Sequence, residues 1–78
     1  MNRQELRESI LAHMKVFAQM TDKEFGIPYG MRTWRLASRT GETVRRCRDE
    51  LIRMEAEGLV FREVIVEPNN IIWHRSKQ

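Results

Sequence analysis

The sequence predicts a single α+β domain spanning residues 1–78, with three helices followed by a β-hairpin. Up to Leu59 the apolar residues recur at helical spacing. Beyond it Val, Ile and Phe gather in two runs around the turn-forming Pro68-Asn69-Asn70. A third observation places the joint between helices: Thr40-Gly41 interrupts the helical pattern, and a new apolar stripe begins directly after it. At 78 residues there is room for one compact core, which hides only ~60 % of the surface that the unfolded chain exposes.

The first helix is expected over about residues 3–20. Leu6, Ile10, Met14 and Phe17 make one apolar stripe, Leu11 and Val16 widen it, and Asn2 with Glu5 fits a capping box. Gly26, Pro28 and Gly30 break the next stretch, where Phe25, Ile27 and Tyr29 are apolar enough to cover an end of the core. A short edge strand is expected around Tyr29 to Arg32. Thr33 is predicted to cap a brief second helix over 34–39, with Leu36 and Ala37 turned inward. The third helix is expected over 42–57 with Val44, Cys47, Leu51 and Met54 buried, and Gly58 followed by Leu59 ends it. The hairpin fills 59–75, where Trp73 is expected to pack sheet on helix, while Trp34 leans on the preceding loop.

Composition narrows the chemistry. Cys47 is the single cysteine, so no internal disulfide and no cysteine-pair zinc site is expected. His13 and His74 stand too far apart in sequence to suggest a metal site, and no cofactor is implied. The chain has no Ser-His-acid set and no phosphate-cradling glycine loop, so it is not expected to be an enzyme. No run approaches the ~20 apolar residues of a membrane span, and a cytoplasmic location is expected.

The net charge of +3 is modest, but its distribution is uneven. Between Arg32 and Arg53 lie seven arginines (32, 35, 39, 45, 46, 48 and 53) against Glu42, Asp49 and Glu50. Arginine suits bidentate recognition of phosphate and guanine. The order helix, short strand, helix, tight turn, helix, hairpin is carried by Thr33-Trp34-Arg35-Leu36-Ala37-Ser38-Arg39-Thr40-Gly41, by Thr43-Val44-Arg45-Arg46, and by the run from Leu51 to Val60. In this it resembles the winged helix-turn-helix DNA-binding domains of small bacterial or phage regulators. That resemblance implies a third helix lying in the major groove of double-stranded DNA and a hairpin acting as the wing. It also implies a small transcriptional regulator or a DNA-recruitment factor. Two departures stand out: the turn after Gly41 is short, and the hairpin tip holds Glu67, Pro68, Asn69 and Asn70 where a DNA-gripping wing would carry cations.

At ~100° per residue, the face opposite the expected stripe of the third helix carries Glu42, Arg45, Arg46, Asp49 and Arg53. Arg45 and Arg46 are the candidates for base or adjacent phosphate contacts, and Thr43 for a phosphate or thymine methyl. Glu42 and Asp49 could accept from a cytosine amino group or steer the arginines, while Arg32, Arg35 and Arg39 would lie against phosphates. The same charges also fall four apart, as Glu42–Arg46, Arg45–Asp49, Arg46–Glu50 and Asp49–Arg53, a pattern that stabilises an exposed helix without any ligand. The alternative function is a protein-interaction module on the same fold, with the hairpin edge or Ile52 as its surface and a homodimer as one possible assembly.

Overall fold

The computed structural model describes residues 1–20, 23–24, 26, 29–64 and 71–76. The elements follow in the order α1 (Arg3–Ala18), β1 (Met31–Arg32), α2 (Thr33–Thr40), α3 (Val44–Ala56), β2 (Val60–Val64) and β3 (Ile71–Arg75). The strands form one antiparallel sheet in the order β1-β3-β2. The architecture of the described residues is therefore α+β, three helices with a three-stranded antiparallel sheet. No helix among the described residues is long and apolar enough to cross a membrane.

Each helix is fixed by local chemistry. Asn2 caps α1 by accepting from the backbone of Glu5, and Glu5 accepts in return from the Asn2 backbone, so the capping box is complete. α1 ends at Ala18, two residues earlier than the pattern suggested, with Gln19 as its cap. α2 ends on Gly41, whose φ of 77° is open to glycine at little cost, and the amides of Gly41 and Glu42 both return to the Ala37 carbonyl. α3 starts after Thr43, whose hydroxyl oxygen accepts from the Arg46 amide at 3.1 Å, not at Glu42 as the sequence pattern implied. At its other end the Gly58 amide reaches Glu55 and the Leu59 amide reaches Met54, the paired bonds of a Schellman cap.

The core joins α1 (Leu6, Ile10, Met14), α2 (Leu36, Ala37) and α3 (Cys47, Leu51, Met54) to Met31, Val60 and Trp73 of the sheet. Trp73 lies at its centre as expected, and its indole N–H donates to the Thr33 hydroxyl at 2.9 Å. That bond corrects the expected role of Thr33: the α2 cap position belongs to Arg32, and Thr33 is inside the helix serving the tryptophan. Two apolar positions are also corrected. Val16 is 56 % exposed and Val44 47 % exposed, so neither belongs to the buried stripes. Trp34 is exposed rather than covered, and Arg35 lies over its ring.

The hairpin register pairs Val60 with Arg75 and Val64 with Ile71. Arg62 stands on the Trp73 side of the sheet, its guanidinium carbon 5.0 Å from the indole centre, and it holds Glu55 of α3 through both carboxylate oxygens. On the other face Phe61 stacks on His74, and His74 meets Glu63 at 2.9 Å. Gly30 closes against β3: a methyl group there would collide with Ile72 and come within 2.7 Å of His74 Cε1, so a larger residue would force both side chains to move. The expected hairpin turn at Pro68 to Asn70, with Glu67, and the core cover by Phe25 and Ile27 lie outside the described residues.

Candidate nucleic-acid interface

α2 and α3 are joined by Gly41–Thr43, so the direction in which α3 leaves α2 is set by the left-handed glycine and the Thr43 cap. The side of α3 that faces the core is Cys47, Glu50, Leu51 and Met54. Glu50 has taken the place that the sequence pattern gave to Val44. At ~100° per residue this turns the buried stripe by about 30°, and the outward face turns with it. Its centre now passes through Arg45 and Ala56, with Ile52 and Asp49 beside them and Arg48 and Arg53 about 70° to either side.

The reason is long-range. Glu50 is 1 % exposed, and three arginines converge on it. Arg7 of α1 donates to Oε2 at 2.8 Å, Arg3 to Oε1 at 3.1 Å, and Arg53 to Oε1 at 3.3 Å. Arg7 also grips both oxygens of Glu57 at 2.9 and 2.6 Å. Burial alone would push the Glu50 carboxyl upward, but the bonds from Arg7 and then Arg3, with the attraction of both cations, hold it below the usual carboxylate range. Glu57 is held low by Arg7 and Glu55 by Arg62, and the two arginines are raised in turn.

These shifts fix an acid response. Carboxylates that titrate lower in the folded chain stabilise it fully above the unfolded glutamate value of about 4.3 and lose that contribution as pH falls through the folded values. The melting temperature is therefore expected to stay level from about pH 7 to 5.5 and to decline steadily below about pH 4.5. Thermal scans across that range check it, and Glu50→Gln should flatten the decline.

The convergence on Glu50 sorts the predicted site residues. Arg53 is tied to Glu50. Arg46 pairs with Glu42 in an ionic contact that lacks hydrogen-bond alignment, and it donates to the Met1 carbonyl at 3.0 Å. Arg45, Asp49 and Arg48 are exposed, and none makes an ion pair among the described residues. Arg48 lies outside the outward face that the apolar pattern defines, because a wheel drawn through Val44 puts it about 100° from the centre of that face. Thr43 is exposed, with its oxygen used as a cap and its hydroxyl hydrogen still able to donate. Of the four pairs spaced four apart, Glu42–Arg46 forms; Arg53 turns instead to Glu50 at a spacing of three.

On α2, Arg35 and Arg39 are exposed and lie over aromatic rings of α1 and α2. Arg32 occupies β1 opposite Ile72 and caps α2 through its backbone position. Cys47 is fully buried beside the Thr40 hydroxyl at 3.5 Å, and burial pushes its thiol upward, so it stays protonated near neutrality. His13 bonds the Ser9 carbonyl one turn back, a local role. No group of three or more His, Cys, Asp or Glu among the described residues could hold a metal ion. No protein-family model matches the chain, and no curated protein or solved structure matches it either.

Proposed function

We propose that this chain is a winged helix-turn-helix domain that binds double-stranded DNA, with α3 as the helix that enters the major groove. The observation that carries the reading is the outward face of α3. Arg45 and Arg48 stand exposed on its first two turns with no ion pair among the described residues, while Arg46 and Arg53 are held by neighbouring carboxylates. An exposed arginine at the start of such a helix can donate two bonds to guanine O6 and N7. Ile52, 45 % exposed at the same face, offers an apolar surface to a thymine methyl, and Asp49 an acceptor to a cytosine amino group. Support for the fold assignment comes from the helix pair joined at Gly41 and the antiparallel hairpin that follows α3. A role in transcription regulation or DNA recruitment rests on the same reading.

Binding of the chain to duplexes selected from a random pool, followed at graded salt, tests this. The logarithm of the binding constant should fall linearly with the logarithm of salt, with a slope of about −3 to −5 at ~0.9 per neutralised phosphate. Failure to bind any duplex at low salt would remove DNA from the reading.

A protein-interaction module is the second reading, and one observation favours it. The half-exposed Tyr29 and Phe61 line a cleft of about 810 Å³ together with Met14, Met31 and His74, and β2 is an edge strand of the sheet. A chain that ignores duplex DNA but gains mass with concentration would favour that surface.

A further inference from the structure

α2 carries a second cationic feature. Arg35 and Arg39 lie one turn apart and are both exposed. Both guanidiniums sit over one ring: the central carbons are 5.6 and 5.7 Å from the centre of Phe17, near the end of α1. Arg35 is also 5.4 Å from the ring of Trp34, itself 56 % exposed. Phe17 is half-buried and packed against the core, so this ring is a fixed platform. α2 contains no acidic residue, and neither arginine makes an ion pair among the described residues.

Two cations at this spacing on a helix repel each other. The negative face of a shared aromatic ring offsets part of that repulsion and fixes where both ions stand. A guanidinium laid over a ring still turns its N–H edges outward, and those edges match the oxygens of a phosphate in a way that a lysine ammonium does not. What results is a pair of donor forks that no carboxylate among the described residues engages.

We propose that Phe17, Trp34, Arg35 and Arg39 form a clamp for a backbone phosphodiester, with Phe17 and Trp34 as positioning residues. The proposal rests on the DNA reading for its partner but on its own geometry for its chemistry. The arginines make the contacts; the two rings decide their direction. Phosphate contacts of this kind hold the protein in register without reading sequence.

The test uses the full chain, a labelled duplex and four variants: Arg35→Lys, Arg39→Lys, Phe17→Leu and Trp34→Leu. All four retain every charge or remove none, so the salt slope should stay at the wild-type value while affinity falls about 3–10-fold for every duplex sequence. Arg35→Ala and Arg39→Ala should each reduce the slope by about 0.9. A simple charged patch would accept lysine for arginine and leucine for either ring, and wild-type affinity in all four variants overturns the clamp while leaving the α3 reading in place. If Phe17→Leu loosens α1, the lysine variants and the exposed Trp34→Leu decide. Should the wild-type chain bind no duplex, inorganic phosphate becomes the probe. Shifts of the Arg35 and Arg39 Nε–H signals with phosphate, absent with chloride at equal ionic strength, keep the phosphate site without its DNA partner. No shift overturns it.

Discussion

Glu50→Ala is expected to lower stability by about 2–3 kcal/mol, because it strips a buried carboxylate from three arginines at once. Removing one partner of a fully buried pair costs about 3–5 kcal/mol, but Arg3 and Arg53 are well exposed and recover hydration, so the loss falls at or just below the bottom of that range. Arg7 is the residue that cannot recover. Its side chain is only 17 % exposed, and after the substitution Glu57 alone would hold it. A domain of this size has roughly 4–12 kcal/mol of total stability, so the loss is a large share. At roughly 4–8 °C per kcal/mol the melting temperature should drop by about 10–20 °C. Glu50→Leu should cost as much, since hydrocarbon offers Arg7 no acceptor. A Glu50→Ala variant melting within about 3 °C of wild type would show that the convergence on Glu50 contributes little to the fold.

Arg45→Ala and Arg48→Ala should each weaken binding to the selected duplex by about 1–3 kcal/mol, a roughly 5- to 150-fold loss, where the side chain is bidentate to a base. Arg46→Ala should cost less than about 1 kcal/mol, because its guanidinium is already committed to Glu42 and the Met1 carbonyl. The contrast is the point. The outward face drawn from the apolar pattern alone includes Arg45, Arg46 and Arg53 and leaves out Arg48, whereas observed burial centres the face on Arg45, brings Arg48 to its edge and leaves Arg46 and Arg53 engaged with carboxylates. Duplex binding by each variant, with the melting temperature as a control for folding, separates the two. A large loss in Arg46→Ala with Arg48→Ala indifferent would return the reading face to the sequence-based one.

The elements whose positions the sequence revealed are those closed by local chemistry. The Asn2–Glu5 box, the glycine after α2 and the Schellman end of α3 each need only residues within one turn of one another. Trp73 was legible as a core residue because its neighbours are apolar. Glu50 was not, since a carboxylate reads as solvent-facing until Arg7 is brought from 43 residues away to meet it. The same distance hid the hydroxyl of Thr33, which reads as a helix cap and is drawn inward by an indole 40 residues later. Phe17 belongs to the apolar stripe of α1, and it packs half-buried against the core. That the guanidiniums of Arg35 and Arg39 also lie over its ring depends on α2 packing beside α1, which no spacing within α1 reports.

The burial of one tryptophan and the exposure of the other make the protein its own pair of optical probes. Trp73, 1 % exposed and hydrogen-bonded to Thr33, should emit at shorter wavelength and resist iodide. Trp34, 56 % exposed beside Arg35, should emit at longer wavelength and be quenched readily. A quencher that reaches only the second indole would then divide one emission spectrum into a signal for unfolding and a signal for occupancy of the α2 surface.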